Sequence, residues 1–130
     1  MSDLDRLQAE IIRFRDERNW QQFHKPKDLA ISLVLEATEF MEHFQWKSDE
    51  EVEKHLREHK SDAADELIDT LYWVLLIAHD LHIDIEKAFK RKMAKNVLKY
   101  PVEKSSGNHD KYTDLQKRSR NAREIKASHT

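Results

Sequence analysis

Residues 62–81 read DAADELIDTLYWVLLIAHDL, and their spacing decides the fold. On a helix turning about 100° per residue, Leu71, Val74, Ala78 and Leu81 fall within roughly 40° of Leu67. That is the stripe of a helix facing a core. From Leu71 to Ala78 the run is apolar on every side, which predicts burial on more than one face: the middle of a bundle or a subunit contact. The run is too short to span a bilayer. Glu66, Asp69 and Trp73 fall near −100°, −160° and −120° by roughly the same step. An acid pair at i,i+3 therefore shares a stripe with a tryptophan.

The arrangement occurs once before, in LEATEFMEHFQW at 35–46. Taking Leu33 as zero, Leu29, Ala37, Phe40 and Phe44 lie within roughly 40°, Glu36 near −60° and Glu39 near −120°. Glu36 sits at the margin of the core and Glu39 just outside it. A carboxylate facing a core is costly unless something compensates it, and two neighbouring carboxylates repel unless a cation lies between them. Short connections favour antiparallel neighbours, so two helices each offering an acid pair can build a four-acid cluster. Such an all-oxygen donor set suits Mg²⁺, with Mn²⁺ the other candidate. The plainer reading, solvated acids on highly charged helices, stays open from these residues alone.

The rest of the chain fits helices around that pair. It has one glycine, Gly107, and two prolines, Pro26 and Pro101, too few turn residues for a β-rich domain of 130 residues. Asp3 is expected to cap a first helix running to Trp20, with Leu4, Leu7, Ile11 and Phe14 at helical spacing. WQQFHKPKD then connects, and Pro26 suits the first turn of a second helix running from Lys27 to Trp46. Ser48 with Glu51 has capping-box spacing. Helical pattern continues from there to His82, with a break expected near Lys60–Ser61. Asp84 opens a last helix to Lys99, stopped by Pro101. The expected architecture is an all-α four-helix bundle at 1–101 with a polar, largely mobile tail at 102–130, in which Lys111–Tyr112 is the point to touch the body.

Charge and composition exclude other classes. Charged residues make up 37% of the chain but the formal net charge is only −2, so nothing in the total favours nucleic acid or an anionic membrane. Basic residues collect after Lys87. There is no cysteine, which removes disulfides and thiolate metal sites and is compatible with the cytoplasm. MSDLDRLQAE lacks the apolar core of a signal peptide.

Other patterns carry less. HLREH at His55–His59 matches an inverted zinc-protease motif, but it lies in a charged stretch and reads as a solvated helix face. His79 and His82 sit where a helix ends and can meet its last carbonyls. No Glu-x-x-His occurs, which disfavours a di-iron carboxylate bundle. Several tryptophans near a metal cluster could stack a nucleobase, although a tryptophan is more often core.

In order, these elements form a pattern: ERNWQQFHKPKDLAISLVLEATEFMEHFQW at 17–46, then DELIDTLYWVLLIAHDLHIDIEKAFKRKMAKNVLKYP at 65–101. The chain resembles the MazG-like all-α nucleoside triphosphate pyrophosphohydrolases, most closely their dCTP pyrophosphatase branch. The resemblance covers about residues 4 to 101, and KYTDL at 111–115 is similar as well. It implies Mg²⁺-dependent hydrolysis of a nucleoside triphosphate, dCTP or a related pyrimidine, to the monophosphate and pyrophosphate. The metal would be held by Glu36, Glu39, Glu66 and Asp69, and Glu39 would be nearest the attacking water. The substrate would be met by Trp20, Gln21, Gln22, Phe23, His24, Trp46 and Trp73, and on the last helix by Lys92, Asn96 and Tyr100. The resemblance also implies a homodimer or homotetramer and a role in cleansing the nucleotide pool. Two positions that bear on the base depart from the dCTP branch: Ile11 stands where that branch has histidine, and Trp73 where it has tyrosine. A non-catalytic helical interaction module and a related all-α dUTPase are the alternatives.

Overall fold

The computed structural model describes residues 1–107, 120–121 and 123–128. Among these there are helices and no strand, so the all-α class holds. The chain forms two compact units, Met1–Asp84 and Ile85–Thr130.

In the first unit, α1 spans Asp3–Glu17, a 3₁₀ turn covers Trp20–Phe23, α2 spans Pro26–Glu42 and α3 spans Asp49–Asp80. Ser2 rather than Asp3 caps α1, in a reciprocal capping box with Asp5. Its hydroxyl accepts the third helical N–H while Asp5 reaches back to the cap nitrogen. α1 ends sooner than expected, because Asn19 turns left-handed at φ 54°, a conformation asparagine tolerates better than most residues. Pro26 occupies the first turn of α2, where its missing N–H costs nothing. α2 also stops early, at Glu42, and Phe44–Trp46 are turn. The Ser48–Glu51 capping box forms as expected. The break in α3 falls one residue early, at His59 (φ −130°, ψ 28°).

The buried apolar side chains are Leu29 of α2 and Ala63, Leu75, Leu76 and Ala78 of α3. Leu67 and Val74, expected at the centre of the core stripe, are exposed. The run is apolar all round, so periodicity cannot choose which side packs; α1 and α2 choose it. Gln8 of α1 donates from Nε2 to the Leu75 carbonyl at 2.8 Å, on the side that is buried.

The most buried polar side chain is Arg15, only 1% exposed. Its Nη1 donates to both carboxylate oxygens of Asp80 at 2.8 Å, and its Nε donates to Asp16 at 3.0 Å. A guanidinium's fork and delocalised charge make it the cation best suited to such a place. Burial by itself would push the Asp80 carboxyl up, but the hydrogen bonds from Arg15 and His79 outweigh it and hold the group below its ordinary value. The pair pins α1 to the C-terminal end of α3.

The second unit contains α4, Ile85–Lys99, and a short α5, Val102–Ser105, after Pro101; residues 120–121 and 123–128 are helical. Lys111–Tyr112 and the rest of KYTDL lie outside the described residues. No helix among the described residues is long and apolar enough to cross a membrane.

Asp80→Ala would strand a buried guanidinium with Asp16 as its sole carboxylate. The expected loss is about 3 kcal/mol at neutral pH, read from urea denaturation. Asp80 is depressed in the folded state, so its contribution is complete above the ordinary aspartate value and vanishes as pH falls through the lower folded value. The wild-type and variant stabilities should therefore converge below about pH 4.

Candidate active site

Glu36 and Glu39 lie on consecutive turns of α2, and Glu66 and Asp69 repeat that i,i+3 step on α3. Packing of α2 on α3 brings one oxygen each of Glu36, Glu39 and Glu66 within 4.8 Å of one another. Asp69 is outside that tightest group, yet near enough that its charge helps push both Glu36 and Glu66 up.

The electrostatics of the group are unfavourable without a counter-charge. Burial, then the hydrogen bond and charge of Glu39, raise the Glu36 carboxyl above its ordinary value. Glu66 is raised chiefly by its hydrogen bond with Glu39, with desolvation and the neighbouring acids adding. Glu36 Oε2 is buried without a hydrogen-bond partner among the described residues. A buried acceptor left unmatched costs about 1–3 kcal/mol, more if charged. Two oxygens on one Mg²⁺ stand at most about 4.2 Å apart, so this spread fits one or two small hard cations after a slight contraction. The orphaned oxygen and the all-carboxylate donor set fit such an ion.

Glu36 and Asp69 also line a cleft of about 600 Å³, within the usual range for a small-molecule site. Its walls are aromatic. Phe14 meets Trp20 edge to face at 5.7 Å and Tyr72 at 6.3 Å, and Tyr72 meets Trp73 at 5.1 Å. Trp20 and Trp73, both expected beside the substrate, line this cleft. His24 stands behind the wall, its ring 5.5 Å from that of Trp73. Burial and the nearby Arg15 charge lower its affinity for a proton, and its Nδ1 is buried without a partner among the described residues.

Other expected residues are placed elsewhere. Gln21, Gln22 and Phe23 are exposed on the 3₁₀ turn, and Gln22 donates to the Asn19 carbonyl at 2.9 Å. They do not line the cleft. Nor does Trp46, which is 91% exposed and held left-handed at φ 66°, a strain of about 1–2 kcal/mol for such a residue. Lys92 and Asn96 lie at i,i+4 spacing on α4 in the second unit, and Tyr100 directly follows the last residue of that helix. Two wall positions carry signals that sequence reasoning did not use for the site: Phe14 was assigned to the core, and Tyr72 was hidden in the apolar run. HLREH is not simply a solvated face, because His55 packs half-buried against His43, with Nδ1 of His43 2.8 Å from Nε2 of His55.

Comparison with known proteins adds family context. Residues 31–115 match the MazG-like family. A protein of Rattus norvegicus named dCTP pyrophosphatase 1 is 43% identical over 117 residues, spanning 88% of this chain and 67% of that protein. The Homo sapiens protein of the same name is 37% identical over the same length. Among solved structures, a pyrophosphatase from Archaeoglobus fulgidus superposes with a TM-score of 0.72 at 36% identity, covering 78% of this chain and 94% of that one.

Glu36→Gln keeps the shape of the side chain and can donate to Glu39. In chelator it should stabilise the protein by about 1 kcal/mol in thermal melts at neutral pH. A raised folded value means that ionisation costs stability as pH rises. The advantage of the variant should therefore shrink on acidification, as wild-type Glu36 takes up its proton.

Proposed function

The chain belongs to the MazG-like family, and from that premise we propose that it is a Mg²⁺-dependent hydrolase that cleaves a pyrimidine deoxynucleoside triphosphate to the monophosphate and pyrophosphate. The observation that carries this reading is the under-compensated carboxylate group, its oxygens within 4.8 Å of one another, opening into an aromatic cleft of about 600 Å³. A triphosphate with its divalent ions supplies what the acids lack, and a nucleobase supplies faces for the rings to meet. The naming of the relatives as dCTP pyrophosphatases supports dCTP as the first substrate to try.

Glu36, Glu39, Glu66 and Asp69 are the proposed metal ligands. Bound Mg²⁺, or Mn²⁺ in its place, would neutralise triphosphate oxygens and lower the pKa of a water. Glu39 is the exposed member of the group, and we assign it the proton of the attacking water. The water oxygen bonds to the α-phosphorus, the bridging bond from the α-phosphorus to the β-phosphate oxygen breaks, and pyrophosphate leaves with that electron pair. Phosphoryl-type transfer asks for positioning and charge compensation rather than a covalent enzyme intermediate. Trp20 and Trp73 hold the nucleoside, with His24 bracing Trp73. Gln21, Gln22, Phe23 and Trp46, Lys92 and Asn96 on α4, and Tyr100 just after it, are proposed substrate-side residues on their motif alone.

The α2 stripe of Ile31, Val34 and Leu35, each at least half exposed, is the proposed contact with a second copy in a homodimer or homotetramer. Three large apolar residues at i, i+3 and i+4 form one continuous face, and a self-complementary helix face is the common way to close a symmetric pair. The proposed setting is a cytoplasmic nucleotide pool.

Pyrophosphate release should require divalent metal, stop with chelator and return with Mg²⁺. In H₂¹⁸O the label should appear in the nucleoside monophosphate; label in pyrophosphate would place attack at the β-phosphorus and overturn the proposed step. Glu36→Ala and Asp69→Ala should abolish turnover and Glu39→Gln should lower kcat at least about 100-fold, all with unchanged helical circular dichroism. Val34→Asp should reduce the mass of the assembly in light scattering after size exclusion.

A further inference from the structure

Three carboxylates line the cleft, and only two belong to the acid group. Glu36 and Asp69 reach it from α2 and α3; the third, Glu10, reaches it from α1. Glu10 takes no part in the cluster of Glu36, Glu39 and Glu66. Among the described residues no hydrogen bond or ion pair engages its side chain. The other α1 residues of the cleft are Leu7, Ile11 and Phe14, so Glu10 is the one polar group that α1 offers to whatever binds there.

The proposed substrate restricts what that group can do. A carboxylate accepts hydrogen bonds and donates none, and it repels phosphate oxygens by roughly 4 kcal/mol at 4 Å near a protein surface. Glu10 makes no ion pair among the described residues and stands outside the acid group proposed to hold the metal. Its useful contact is therefore with an uncharged N–H of the nucleoside. Cytosine presents an exocyclic amino donor at position 4, whereas uracil and thymine present a carbonyl oxygen there. Against Glu10 the amino group makes a hydrogen bond at the outer edge of the ring, whereas the one imide N–H of uracil and thymine, at N3, lies between two carbonyls that each set acceptor against acceptor. The remaining polar handles of the wall do not replace it: the indole N–H of Trp20 and Trp73 only donates, and the Tyr72 hydroxyl can turn to suit either base.

We propose that Glu10 is the base-discriminating residue of the cleft, accepting from the exocyclic amino group, so that amino-bearing bases, cytosine first, are preferred over uracil and thymine. This rests on the nucleotide hydrolase reading above.

The test compares kcat/KM for dCTP and dUTP with Mg²⁺ in wild type, Glu10→Gln and Tyr72→Phe, with circular dichroism to verify folding. A parallel arm measures calorimetric binding of the α,β-imido analogues of both nucleotides. Wild type should favour dCTP. Glu10→Gln, whose amide can also donate to a carbonyl, should cut that preference by about tenfold or more, mainly by gaining dUTP activity, while Tyr72→Phe keeps it. A preference that survives in Glu10→Gln, that is lost instead in Tyr72→Phe, or that runs toward dUTP in wild type overturns the proposal. If wild type hydrolyses neither nucleotide but the analogues show the Glu10-dependent preference, the hydrolase reading falls and the role of Glu10 stands. Absence of binding to both analogues overturns the role of Glu10 as well.

Discussion

The structure depends on a repulsion. Three carboxylate oxygens from two helices stand within 4.8 Å, Glu36 carries a buried acceptor with no partner among the described residues, and a fourth acid stands close by. Left to themselves, such groups would separate or take up protons, and the raised position of Glu36 and Glu66 is the second of these responses. They stay together because they are mounted on helices that pack for other reasons. The burial of Leu29 on α2 and of Ala63, Leu75 and Leu76 on α3, worth about 1.5–3 kcal/mol per large aliphatic side chain, holds the acids in register. The apolar contact thus stores electrostatic cost at one place, where a cation and a polyanion together can release it.

α1 contributes in a different way. It brings none of the four acids, yet Leu7, Glu10, Ile11 and Phe14 form one side of the cleft. The Arg15–Asp80 bridge and the Gln8–Leu75 hydrogen bond fix that side against α3. On the proposed reading α1 would serve the base alone, while α2 and α3 carry the acids. The departure at Ile11 from the histidine expected of the dCTP branch falls on a helix that carries none of the four acids.

How much of this was legible in the sequence follows from the range of each interaction. Local signals read well: the Ser48 capping box, Pro26 in the first turn of α2, and the break in α3 each depend on residues within a few positions of one another. The acid register also read well, because an i,i+3 pair at the edge of an apolar stripe fixes its own flank. What failed needed a partner far along the chain. Arg15 looks like any charged residue of an exposed helix until Asp80, 65 positions away, is known to meet it. The apolar run of α3 is uniform, so nothing within it singles out Leu75 and Leu76 over Leu67 and Val74. The motif places Trp46 at the substrate; that α2 ends at Glu42 and leaves Trp46 exposed in this chain is something the motif does not report.

Trp46 also bears on the proposed assembly. A tryptophan held left-handed and almost wholly exposed carries two costs, backbone strain and hydrated apolar surface. On α2, the same helix that leads to Trp46, Ile31, Val34 and Leu35 are exposed as well. A second copy covering this helix would remove the hydration cost along its length and provide a reason for the strained turn that places the indole. Because α2 also carries Glu36 and Glu39, a contact made along it would stiffen the helix that holds half of the acid group. Assembly and catalysis would then be coupled through a single element, with the geometry of the acid group depending on whether the outer face of α2 is covered.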